Sequence, residues 1–145
     1  MTTKTKKIIV DIGMAIFIIL SFIRWDGSPA FHIIVGVVCA VFFTLHVLLH
    51  RKWLTAQTKK LSKGKVSAKV IRLYLVDVLL LIVWTISIVT GILAIQPYLV
   101  DSESASWLDR IHGITARLAV VLVIIHLIQH FKQIRSYFKV PRKAS

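Results

Sequence analysis

The chain's chemistry starts with its six histidines, which all fall in one register. His32, His46 and His50 lie in FHIIVGVVCAVFFTLHVLLH, and His112, His126 and His130 lie 80 residues further on in IHGITARLAVVLVIIHLIQH. Both stretches are apolar, and a polar ring is unfavourable in lipid, so intramembrane histidines point to a functional site facing a bundle interior. One such residue is most often a hydrogen-bonded packing group, a reading that two equivalent sets of three make hard to sustain. Fourteen residues separate His32 from His46 and His112 from His126. In a left-handed bundle with about 3.5 residues per turn that is four whole turns, so each pair shares a seam, its members about 21 Å apart. Two histidines opposed across a bundle at each of two levels suit the axial positions of two b-type haems, because neutral imidazole is a good iron ligand. A tetrahedral zinc site would need four ligands gathered within one or two turns.

Other residues qualify this reading. His50 and His130 stand 18 residues after the first histidine of each set, about 51° off the seam at 3.5 residues per turn but nearly in line at 3.6. They are either alternative ligands in place of His46 and His126, residues of the cytoplasmic rim, or a third site. Asp11 and Asp77 fall level with His46 and His126, where a carboxylate can accept the second ring N–H of a ligating histidine, serve a proton path to a quinone, or reach interfacial water. Arg117 has no evident protein partner; a haem propionate is one candidate and the headgroup region is the other. Gly36, Cys39, Ala116 and Ala119, four and seven residues beyond His32 and His112, leave room for a flat macrocycle or serve close helix packing. Cys39 is the sole cysteine and has no disulfide partner. No CxxCH attachment motif, nucleophile–base set, phosphate loop or dinucleotide fingerprint is present, so a haem here is non-covalent.

The elements that must position these residues follow from composition. Of 145 residues, 57% are apolar, and the mean hydropathy is +0.78, which excludes disorder and a secreted disulfide scaffold. The apolar residues form four runs, near 8–23, 30–50, 73–95 and 111–131, each close to the ~20 residues a membrane helix needs. Continuous runs without alternation favour helices over barrel strands. The expected fold is all-α, a single integral-membrane four-helix bundle spanning 1–145.

Charge orients it. All lysines and arginines except Arg24, Arg110 and Arg117 lie before the first run, in a basic loop at 51–72, or after the last run. The positive-inside bias then places both termini and that loop in the cytoplasm of a cell-membrane protein. The net charge of +13 thus matches anionic lipid headgroups, not nucleic acid. The loop's Trp53, Leu54, Leu61, Val66 and Val70 suggest an amphipathic stretch on the membrane surface; Trp25, Tyr98 and Trp107 read as interfacial anchors, and Phe43 and Trp84 as packing. The first run resembles a signal peptide, but no small-x-small site follows it. Its Val10–Asp11–Ile12 also recurs as Val76–Asp77–Val78, with Ser21 and Ser87 each ten residues after the aspartate. The chain is therefore expected to hold two parallel helical-hairpin repeats about a pseudo-twofold axis, with the second and fourth helices facing each other.

With two histidines 14 apart on each of two helices, the chain resembles the di-haem four-helix core of the cytochrome b superfamily. Its size is similar to small bacterial di-haem cytochromes b, among them superoxide oxidases and flavinylation-associated cytochromes; Thr90–Gly91–Ile92–Leu93, Trp107 and Ile111–His112 resemble the last group. The resemblance covers nearly the whole chain. It implies one haem on His32 and His112, a second on His46 and His126, and electron transfer across the bilayer. The partners would be a quinol or quinone and an extracytoplasmic flavin or other redox protein. A superoxide:quinone oxidoreductase is the enzymatic alternative, and a histidine-based metal-ion or proton transporter or sensor is the non-redox one.

Overall fold

The computed structural model describes residues 1–23, 29–64, 66–99 and 106–137. Four helices occupy them: α1 (Thr3–Ser21), α2 (Pro29–Leu61), α3 (Ala68–Leu99) and α4 (Ser106–Tyr137). Arg24, Trp25 and Asp26 fall outside the described residues, as do Asp101 and Glu103, and so does the side chain of Tyr98.

Local chemistry sets the ends. Thr2 caps α1, its hydroxyl accepting the Thr5 N–H at 3.2 Å and satisfying one of the donors a helix start leaves open. Pro29 opens α2, where its missing N–H costs nothing. From Arg51 to Leu61 there is neither glycine nor proline, so α2 runs eleven residues past the apolar stretch. It stops at Gly64, which takes φ +65° and donates its N–H to the Leu61 carbonyl at 3.0 Å; this left-handed turn suits glycine. Most of the stretch expected as a loop at 51–72 is therefore helix. Trp53 and Leu54 belong to α2 itself, and the Thr58 hydroxyl meets the Tyr74 hydroxyl at 3.1 Å across the turn.

Three helices are long and apolar enough to cross a membrane, over Pro29–Leu61, Ala68–Gln96 and Trp107–Ser136. The fourth expected span, α1, carries Lys4, Lys6, Lys7 and Asp11 within 19 residues and does not qualify on its own composition. It packs on α2, α2 packs on α3, and α3 on α4. Aromatic rings join the first two interfaces: Phe17 lies 5.2 Å from Phe42, and Phe43 stacks on Trp84 at 5.9 Å. Gly13 lets α1 approach α2, since a Cβ there would collide with the Phe42 ring. Between α3 and α4, Val83, Ala119 and Leu122 form a buried cluster bordered by Leu80 and Trp84.

Little else is buried. The chain exposes 10630 Å², against about 7,500 Å² for a compact soluble protein of this mass. Much of the excess is aliphatic: Ile34, Val41, Leu75, Ile92 and Ile128 are among the exposed large side chains. An outer surface of this kind is at home in lipid, where small residues and close packing hold helices together.

Candidate histidine and aspartate site

The four histidines spaced 14 apart share one feature. Each commits Nδ1 to an oxygen acceptor on the helix that precedes its own in the chain. His32 donates to the Ser21 carbonyl at 2.8 Å, and His112 to the Ser87 carbonyl at 2.8 Å. His46 donates to Asp11 Oδ1 at 2.8 Å, and His126 to Asp77 Oδ1 at 2.7 Å. A neutral imidazole carries one N–H, so these bonds fix the proton on Nδ1 and leave Nε2 with a free lone pair.

The arrangement explains the recurrence of aspartate and serine ten residues apart. On α1 and again on α3, the aspartate side chain holds one histidine and the serine carbonyl holds the other. Ser21 and Ser87 were visible in sequence only as a repeated spacing, because a backbone carbonyl leaves no mark on residue type. Gly91 is a second contributor that residue chemistry missed. A Cβ there would lie 2.9 Å from both Cε1 and Nδ1 of His112, so only glycine admits the imidazole at this separation.

The rings of His32 on α2 and His112 on α4 meet, their centroids 5.9 Å apart and their planes at 76°. His46 and His126 have no ring contact with each other among the described residues. Each lies instead against the histidine one turn on: His46 stacks on His50 at 4.5 Å, and His126 lies 4.6 Å from His130. His50 Nε2 comes to 3.5 Å from Asp11 Oδ1, and His130 Nε2 to 3.4 Å from Asp77 Oδ2. Two Asp–His–His groups result, Asp11 with His46 and His50, and Asp77 with His126 and His130. His130 and Trp53 also meet at nearly right angles, their ring centroids 5.9 Å apart. His50 and His130 are thus tied to the same carboxylates as their neighbours, which spacing along a single helix does not reveal.

The small-residue seam divides. Ala119 is in the packed cluster with Val83 and Cys39 is buried, whereas a Cβ added at Gly36 would meet nothing within 4 Å. Arg117 is exposed and makes no ion pair among the described residues, its Nη2 lying 3.8 Å from where a Gly113 Cβ would be. Trp107 is exposed.

Compared with protein-family models, curated proteins and solved structures, the chain finds no match in any of the three.

Proposed function

We propose that this chain is a membrane-embedded di-haem b-type cytochrome, with His32 and His112 holding one haem and His46 and His126 the other. The observation that supports this most directly is the uniform commitment of all four Nδ1 atoms to oxygen acceptors. Metal-ligating histidines are oriented in this way, the second ring nitrogen donating to a carbonyl or carboxylate, which fixes the tautomer and raises the basicity of the ligating atom. The first pair also fits in distance. Two imidazoles sharing one metal through bonds of about 2 Å have centroids about 6 Å apart, and His32 and His112 are at 5.9 Å. The open space beside Gly36, one turn from His32, supports room for a bulky group on the same side.

Haem b would supply one-electron chemistry. The protein's part is to hold the ligands, exclude water and tune basicity. His46 and His126 face carboxylates and gain negative charge at Nδ1, whereas His32 and His112 face neutral carbonyls. This asymmetry favours the oxidised state more at the aspartate pair, so the two positions should differ in potential. Along α2, the 14 residues from His32 to His46 span about 21 Å, which places the pairs at different depths of a bilayer. We further propose two parallel helical hairpins, α1 with α2 and α3 with α4, making a four-span bundle in the cell membrane with both termini cytoplasmic. His32 and His112 then lie near the outer face, and Arg117 is available there to a propionate. The electron partners would be a quinol or quinone in the bilayer and an extracytoplasmic flavin or redox protein.

The test is spectroscopic. The purified chain should show low-spin b-type bands on reduction, and a pyridine haemochrome assay should give two haems per chain. A folded, colourless protein would remove the proposal.

A further inference from the structure

The geometry of the two Asp–His–His groups points to a second binding property, beyond haem: we propose that each is a transition-metal cation site, best matched to Zn2+. The donors are Asp11 Oδ1, His46 Nδ1 and His50 Nε2 in one site, and Asp77, His126 Nδ1 and His130 Nε2 in the other. Within each site one ligand atom from each of the three residues lies within 4.8 Å of the other two.

Two features carry this beyond a cluster of polar residues. His50 Nε2 and His130 Nε2 are buried and have no hydrogen-bond partner, yet both are aimed at a carboxylate oxygen, at 3.5 and 3.4 Å. In the second site His130 Nδ1 donates to Gln133 Oε1 at 3.3 Å, so in the neutral ring Nε2 keeps its lone pair and can ligate a cation held beside Asp77. A ring nitrogen buried beside a carboxylate oxygen without a hydrogen bond is completed by something positive, either a proton on the ring or a cation between the two. The second feature is bond length. Ligands about 2.0–2.1 Å from a tetrahedral zinc stand about 3.3 Å from each other. The Asp–His50 and Asp–His130 separations already match, and the 2.8 and 2.7 Å hydrogen bonds from His46 and His126 need to open by about 0.5 Å. Two imidazoles and a carboxylate select zinc and its transition-metal neighbours over magnesium or calcium, and three protein ligands leave a fourth position for water.

The cation and the haem compete for one ring. When Zn2+ binds Nδ1 of His46 or His126, the proton on that nitrogen moves through water to Nε2 of the same ring, with no net proton released. Nε2 then bears a hydrogen and no longer offers a lone pair to iron.

The test uses the full chain in detergent, prepared haem-replete and haem-depleted, with helicity checked by circular dichroism. After equilibrium dialysis against micromolar Zn2+, metal analysis should give two zinc ions per haem-depleted chain and fewer in the haem-replete one. Zinc-edge X-ray absorption should show nitrogen and oxygen neighbours without sulfur. Changing His50 and His130 together to glutamine should abolish binding while helicity persists. No zinc in the depleted chain, equal zinc in both preparations, a sulfur neighbour, or binding that survives the double substitution would each overturn the proposal. A chain that never takes up haem yet binds two zinc ions would sink the di-haem reading and leave this one standing.

Discussion

Gly91→Ala is the substitution through which the site's packing can be weighed against its chemistry. The new methyl would lie 2.9 Å from His112 Cε1 and Nδ1, so ordinary contact requires the imidazole or α3 to move by about 0.5–0.8 Å, the overpacking that generally costs about 1–3 kcal/mol. The ring cannot retreat freely. Its Nδ1–H is held on the Ser87 carbonyl at 2.8 Å, one turn earlier on the same helix as Gly91, and a shift of that size along the bond stretches it to about 3.3–3.6 Å, the outer limit of a hydrogen bond. Its weakening adds up to about 1 kcal/mol. Replacing glycine by alanine inside a helix returns about 1 kcal/mol, leaving a net destabilisation of up to about 3 kcal/mol. Because the displaced ring is one of the two proposed ligands at the outer level, the larger consequence is chemical: haem content should fall from two per chain toward one. The assay is pyridine haemochrome per chain, with thermal unfolding measured in the same detergent. A variant that keeps two haems and unaltered electron paramagnetic resonance of both would refute the placing of His112 as a ligand held by Ser87.

Asp77→Asn keeps the shape of the side chain but removes the charge from the partner of His126; the reduction potential of one haem should rise and the other stay unchanged, as read by redox titration. Replacing His46 and His50 separately by alanine assigns the inner ligand: haem should halve for His46→Ala and persist for His50→Ala, and the reverse result would transfer the ligand to His50. Ala119, 1% exposed between Val83 and Leu122, has no room for a larger side chain, so Ala119→Leu should lower the thermal midpoint or abolish membrane accumulation. An unaltered midpoint would mean that α3 and α4 are not packed there.

Much of this arrangement was legible in sequence, and the parts that were not have physical reasons. Helices, and the histidines they carry, declare themselves through apolar runs and fixed spacing, and the level of Asp11 and Asp77 with His46 and His126 was readable from recurrence alone. The repeat also anticipates the approach of the His32 and His112 rings, but not the stacking of His46 on His50. What spacing could not give was anything decided by a neighbouring helix. His50 looked like a rim residue or a rival ligand because its relation to Asp11 runs from α2 to α1. Ser87 entered only as a spacing because its carbonyl, not its hydroxyl, makes the 2.8 Å bond. Helix ends are hidden for a different reason: apolar runs report where lipid can lie, whereas α2 continues through Arg51–Leu61 because nothing before Gly64 stops a helix. Spacing alone leaves the small-residue seam open to a macrocycle or to close packing, and neighbouring helices divide it: Ala119 is core while Gly36 borders open space.

The central claim is that four histidines, each held by an oxygen at Nδ1, present Nε2 in two pairs to two haem irons. Haem stoichiometry with the reduced-minus-oxidised spectrum of the purified chain tests it most directly. The account predicts two low-spin b-type haems per chain, falling to one when either His32 or His46 is replaced. A folded chain without haem, or one whose haem content is indifferent to both replacements, would contradict it.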